Sequence, residues 1–251
     1  MTEGALAGRV SIVTGGAQGI GRAYCLGLAA EGSIVVVADL MDGSAVAREI
    51  EAMGGRALAL EVDVSDPSAT RDMASKVMSE FERIDVLVNN AAYFKQARRG
   101  PFTDIDPDEW DRAFHVNVRG TWLCCRAVHP HMKAGGYGKI INVSSNTPFK
   151  GVPGFLHYTS SKSAIIGLTR ALAREVGDDG IAVNTVAPDF IPDEEMLRNR
   201  AADAAVVLAE RCFQRTQTPG DMVGIVVFLA GPGSDFITGQ SFLVNGGALF
   251  Q

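Results

Sequence analysis

With 251 residues, 47% hydrophobic and 21% charged, the chain has the composition of a folded globular protein and not of a disordered one. Its formal charge of -6 and pI near 5.3 disfavour a general nucleic-acid binder, because phosphate recognition draws on a basic face. The opening MTEGALAGRV has neither the basic start nor the apolar core of a signal peptide, and the longest apolar runs are too short to span a bilayer. A cytoplasmic protein without membrane contact is expected.

In chain order, short apolar runs alternate with helix-like segments. RVSIV (9–13) precedes a glycine-rich turn and the helical GRAYCLGLAAEG. SIVVVA (33–38), RALALEV (56–62), IDVLVN (84–89), KIINVS (139–144), IAVNTV (181–186) and SFLV (241–244) read as further strands, with helices between most of them. Asp106, Pro107 and Glu109 have the spacing of a capping box at the start of a long helix. Continuous apolar strands separated by helices imply a parallel sheet covered on both faces. The expected fold is one α/β domain over 1–251, a Rossmann-type three-layer sandwich around seven mostly parallel strands. The stretch 189–215 breaks the rhythm and is expected to form a substrate loop or lid, with Leu208 and Phe213 facing inward. Cys25, Cys124, Cys125 and Cys212 show no CxxC or histidine spacing, so they read as reduced and mostly buried, and no metal site is expected from them.

The first turn reads TGGAQGIG (14–21). Gly15 permits a tight turn, Gly19 lets the backbone approach a phosphate, and Gly21 allows the helix to pack closely; Gln18 and Ile20 complete the turn. The second strand ends at Asp39, placed to accept hydrogen bonds from ribose hydroxyls and to repel a 2'-phosphate. Leu40 and Met41 follow it and Arg22 lies inside the helix, so NAD is expected rather than NADP. Asp63 and Val64 end the third strand, where adenine is expected. Asn89, Asn90 and Ala91 end the fourth, with Ala92 next, beside the expected nicotinamide ribose.

Ser145 closes a strand, and Tyr158 and Lys162 lie one helical turn apart in YTSSK. A free tyrosine, with a pKa of about 10, is a poor base at neutral pH. A nearby ammonium and a cationic nicotinamide favour its phenolate, so Tyr158 can exchange a proton while Ser145 holds the substrate oxygen. That chemistry fits alcohol oxidation and its reverse. Asn117, in the preceding long helix, can anchor a water that passes the proton outward.

The motifs TGGAQGIG, DV (63–64), NNAA (89–92), HVNVRG (115–120), INVSS (141–145), YTSSK (158–162), VNTVAP (183–188) and ITGQSFLVNGG (237–247) stand in the order of the short-chain dehydrogenase/reductase family, which the chain resembles over essentially its whole length. The resemblance implies a catalytic tetrad of Asn117, Ser145, Tyr158 and Lys162, with Lys162 also binding the nicotinamide ribose. It places Pro188, Phe190 and Ile191 at the cofactor and implies a homotetramer. Three positions depart from the family: Ala92 and Asp189 where glycine is usual, and Asp193 where threonine is common. An acid near the diphosphate weakens binding unless it turns outward or finds a partner.

Tyr93, Asn146, Phe149, Phe155, His157 and Met196 are the expected substrate-pocket residues. Their apolar and aromatic character fits a medium-sized secondary alcohol or ketone, and SNTPFKG (145–151) resembles the corresponding run of bacterial NAD-dependent dehydrogenases for 1-phenylethanol-type and pyridoxal-type substrates. A polyol or sugar substrate stays open, as does a catalytically silent NAD-binding regulator. His157 reads equally as a substrate contact or a rim residue. Lys150 and the Arg98–Arg99 pair read as solvated loop residues before anion sites. Gln251 is a weak cation-site candidate at the terminus.

Overall fold

The computed structural model describes residues 4–199 and 201–250, so the Gln251 site lies outside the described residues. The strands are β1 (Val10–Thr14), β2 (Ile34–Asp39), β3 (Ala57–Glu61), β4 (Val86–Asn89), β5 (Gly138–Val143), β6 (Ile181–Pro188) and β7 (Ser241–Val244). All pair in parallel in the order β3-β2-β1-β4-β5-β6-β7, a single seven-stranded sheet. The order reverses between β1 and β4, which opens a crevice at their carboxyl ends.

The helices are α1 (Gly19–Ala30), α2 (Ser44–Ala52), α3 (Pro67–Phe81), α4 (Pro107–Phe114), α5 (Thr121–Gly135), α6 (Thr147–Lys150), α7 (Leu156–Val176), α8 (Glu194–Asn199), α9 (Ala201–Glu210) and α10 (Val223–Ala230). Alternate strand residues feed two cores because successive side chains point to opposite faces. Ile12, Val36, Leu87 and Ile140 pack with Met73, Val77, Cys124 and Val128 on the α3–α5 side. Val13, Val37, Val88 and Ile141 pack with Tyr24, Leu28, Ile50 and Val226 on the other. Burial on both faces is why these strands are continuously apolar. Cys25, Cys124 and Cys125 are buried and Cys212 is exposed, all as free thiols.

Two local expectations change. Asp106 caps α4, its Oδ1 accepting from Asp108 N at 2.8 Å, but Glu109 does not close the box. Its Oε1 accepts from Arg98 N at 2.6 Å and lies 3.6 Å from His157 Nε2. The long helix after Asp106 is interrupted by a π-helical widening over His115–Gly120, which contains Asn117.

A polar ladder crosses the sheet beneath α7. Asn89 Nδ2 donates to Asn142 Oδ1 at 2.9 Å, Asn142 Nδ2 to Thr169 Oγ1 at 2.9 Å, and Thr185 Oγ1 to Thr169 Oγ1 at 2.8 Å. These groups are buried, so each bond removed leaves a desolvated partner. Thr169→Val, nearly isosteric, should lower unfolding free energy by about 1–3 kcal/mol in urea titration; an unchanged midpoint would mean that the ladder does not hold α7 to the sheet.

Candidate active site

The crevice above β1, β4, β5 and β6 is a cavity of about 1340 Å³. Its floor begins at the glycine turn. Gly15, with φ +65°, sends its N–H to the Ala38 carbonyl at 2.8 Å. A Cβ on Gly21 would overlap the Gly15 carbonyl oxygen and come within 2.6 Å of Asn90 Nδ2, so the tight contact here is with the turn itself. A Cβ on Gly19 would meet nothing within 4 Å and would project into open space. Gln18, in an extended conformation, offers α1 no side-chain cap, so the first amides of the helix are left for a ligand. An open cradle beside an uncapped helix start fits a dinucleotide diphosphate.

Gln18, Ile20, Asp39, Leu40, Asp63 and Val64 line the same cavity, as do Asn90, Ala91 and Ala92 on its other side. Asp39 Oδ2 accepts from Ala17 N at 2.9 Å and Oδ1 from Met41 N at 3.0 Å; each oxygen keeps lone-pair capacity for a hydroxyl. Arg22 is turned away and forms an ion pair with Glu49. Asp63 Oδ1 accepts from the amide and hydroxyl of Ser65, which shapes the turn beyond β3. Asn90 Nδ2 donates to the carbonyls of Thr14 and Gly15, both at 3.0 Å, riveting the glycine turn to β4. Asn89 points instead into the buried ladder.

Ser145, Tyr158 and Lys162 meet at the inner wall of the cavity, with Pro188, Phe190 and Ile191 along its edge. Lys162 Nζ donates to the Val143 carbonyl at 2.8 Å, and burial brings its pKa from 10.5 down to about 8. Tyr158 departs from the sequence expectation. Burial pushes its phenol well above its ordinary value, and only the neighbouring Ser145 hydroxyl pulls the other way. Lys162 Nζ is 5.8 Å from the Tyr158 ring centroid. Asn117 is buried and outside the cavity lining. Its Oδ1 accepts from Tyr93 N at 2.7 Å and its Nδ2 donates to Ser161 Oγ at 2.9 Å, bracing the loop after β4 against α7.

The expected substrate residues divide. Asn146, Phe155 and Met196 line the cavity; Tyr93, Phe149 and His157 do not. Helix α7 begins two residues before Tyr158, which carries His157 into the interior, wholly buried beside Glu109 and edge-on to Phe155. Phe94 takes the place expected for Tyr93, its ring 5.2 Å from that of Tyr158, while the Tyr93 hydroxyl turns back to the Gln96 carbonyl. Phe155 stacks on Tyr158 at 4.6 Å, and the Arg99 guanidinium lies 4.8 Å over Phe155, so Arg99 belongs to the cavity wall. In α9, Val206 and Val207 line the cavity and Leu208 does not; Phe213, beyond the end of that helix, is 68% exposed. Asp189 and Asp193 both find cationic partners, Arg211 with Lys150 and Lys95 respectively. Phe94 and Arg99 carry no motif of their own, and only the fold of the loop brings them here. Among the described residues no cluster of three or more metal-ligating side chains occurs, and no helix is long and apolar enough to cross a membrane.

The sequence model of the enoyl-(acyl carrier protein) reductase family matches residues 15–248. The chain is 36% identical over 241 residues to the (2S)-[(R)-hydroxy(phenyl)methyl]succinyl-CoA dehydrogenase subunit BbsD of Thauera aromatica, covering 95% of this chain and 96% of that one. It is 36% identical over 247 residues to a 3-oxoacyl-[acyl-carrier-protein] reductase of Synechocystis, covering 97% and 98%. A gluconate 5-dehydrogenase candidate from Beutenbergia cavernae has a similar solved structure, with a TM-score of 0.90, 37% identity and 97% of each chain covered. Matches spanning nearly the full length, on a sheet of this order, make the chain a member of the short-chain dehydrogenase/reductase family, NAD(P)-dependent oxidoreductases that transfer hydride between CH–OH and C=O groups.

Proposed function

We propose that the chain is an NAD-dependent dehydrogenase that interconverts a secondary alcohol and its ketone, with Tyr158 as acid and base. The observation that carries this reading is the convergence of Ser145, Tyr158 and Lys162 with the glycine turn and Asp39 in one cavity. When bound, the nicotinamide accepts or returns the hydride. Ser145 Oγ holds the substrate oxygen, and Tyr158 Oη takes the hydroxyl proton in oxidation and gives it back in reduction. Lys162 binds ribose hydroxyls and, as an ammonium, favours the phenolate. Asn117 acts through Ser161 and Tyr93 as a positioning residue. Asp39 in the cavity and Arg22 committed to Glu49 support NAD over NADP. Assembly as a homotetramer belongs to the same reading.

Phe94, Phe155, Val152, Met196, Val206 and Val207 make the outer cavity apolar, which supports a medium-sized substrate with a hydrophobic or aromatic portion. The Thauera relative, whose substrate bears a phenyl group, supports the same class. A polyol or sugar is the second reading. Asn146 favours it, a buried cavity residue whose two amide atoms have no partner, together with the gluconate enzymes among similar structures. The intact Ser145, Tyr158 and Lys162 argue against a silent binding protein. NADH formation over a panel of 1-phenylethanol, aliphatic secondary alcohols, polyols and sugars separates the classes, and silence across the panel despite NAD binding would overturn the dehydrogenase reading.

Tyr158→Phe should lower kcat by about 10²–10⁴-fold and leave calorimetric NAD affinity unchanged, because it deletes only the proton carrier; retained turnover would sink the mechanism. Asp39→Ala should narrow the ratio of NAD to NADP affinity by about tenfold or more, by removing a charge that repels a 2'-phosphate. Lys162 makes a pH-dependent prediction. Its folded pKa of about 8 lies below the ordinary 10.5, so the unfolded chain binds more protons between those values. The folding penalty is complete below pH 8 and fades as pH rises to 10.5. Lys162→Met should therefore gain on the order of 1–3 kcal/mol over the parent in unfolding free energy near neutral pH. That gap should close at alkaline pH; a constant gap would rule out burial as the cause.

A further inference from the structure

The segment 189–211 leaves the sheet after β6, and its two ends meet. Asp189 Oδ2 accepts from Arg211 Nε and Nη2, both at 3.1 Å, and the same guanidinium donates to the Phe190 carbonyl at 3.0 Å. These side chains are 5% and 3% exposed. Lys150 Nζ lies 3.2 Å from Asp189 and 2.8 Å from Glu210, so two cations balance two acids. Lys150 closes α6, whose first residue, Thr147, donates its N–H to Ser145 Oγ at 3.1 Å. One cluster thus joins the turn bearing Ser145, the loop bearing Phe190 and both ends of the insertion. Further out, Lys95 Nζ meets Asp193 Oδ2 at 2.6 Å across the cavity mouth, with side chains 50% and 40% exposed. Met196, Val206 and Val207 face the cavity between the two fastenings.

We propose that Asp189, with Arg211 and Lys150, is the positioning base of a flap that carries 190–199 and 201–210, and that the Lys95–Asp193 pair is its releasable edge. The difference follows from burial. Removing one member of a buried ion cluster strands an uncompensated charge, so the base holds. An exposed pair is weak and is screened by salt, so the edge lets go. The flap opens at Lys95 and Asp193 while Pro188–Ile191 stay in place beside the cofactor crevice. Only the reason for opening, substrate entry, rests on the proposed dehydrogenase function; the fastening is a property of the chain alone.

Hydrogen exchange on the ligand-free protein tests the fastening without any substrate. Asp193 Oδ1 also accepts from Met196 N at 2.8 Å at the start of α8, and asparagine preserves such a cap while removing the charge. In the parent, exchange over 194–199 and 204–210 should rise several-fold between low and high sodium chloride. In Asp193→Asn and Lys95→Met it should be high at both and insensitive to salt. Asp189→Asn should raise exchange at 146–151 and 188–191 as well and lower kcat. Asp189→Asn with Arg211→Gln, which leaves neither charge stranded, should restore the thermal midpoint without restoring protection of 188–191. Salt-insensitive exchange in the parent, or an Asp189→Asn effect confined to 194–210, overturns the proposal. Exchange as expected in a chain that oxidises no alcohol would retain the flap and remove the dehydrogenase reading.

Discussion

Helix α7 is fastened to the carboxyl end of β5 by two hydrogen bonds running in opposite directions, and the candidate site depends on them. Ser144 Oγ donates to the Lys162 carbonyl at 2.7 Å, while Lys162 Nζ donates to the Val143 carbonyl at 2.8 Å. Residue 145 and residues 158 and 162 are thereby held to one geometry, one turn of helix against one strand end. The ladder through Asn142, Thr169 and Thr185 repeats the fastening two turns further along. A polar core of this kind is costly if any member is missing, and when complete it specifies a single seating of the helix.

The site is set in a medium that works against its own charges. Burial raises the Tyr158 phenol and lowers the Lys162 ammonium, each away from its ionised form. Burial thus outweighs the Lys162 ammonium beside the Tyr158 ring, and in the proposed mechanism a positively charged nicotinamide would add to what Lys162 contributes. The outer cavity handles charge differently. Lys95 and Lys150 are each matched by carboxylates, and the two acids that depart from the family pattern line the cavity with their charges balanced by those lysines and by Arg211.

The parallel sheet and its glycine turn were legible because their signals are local. Apolar strands of β-branched residues, the glycine spacing of TGGAQGIG at a helix start, and an acid closing β2 each state their role within a few residues. The errors arose where a side chain's direction depends on a loop or a helix boundary. Tyr93 and Phe94 are neighbours in an irregular loop, and its path turns the second inward. His157 reads in the sequence equally as a substrate contact or a rim residue; it is neither, because α7 begins at Leu156 and carries it into the core. Glu109 has the spacing of a capping box, yet the backbone N–H of Arg98, in the loop before that helix, donates to its carboxylate.

Spacing along the chain by itself determined the strand–helix alternation, the nucleotide turn and the Ser145, Tyr158 and Lys162 set, since each rests on periodicity or on a few adjacent residues. Tertiary structure alone decided what Asp189 and Asp193 do, because their partners Arg211, Lys150 and Lys95 lie 22, 39 and 98 residues away along the chain. It also decided which aromatic residues surround Tyr158 and where Asn117 points. Such pairings are formed by closure of long loops on a packed sheet, and no window of sequence records the distance between two walls of a cavity.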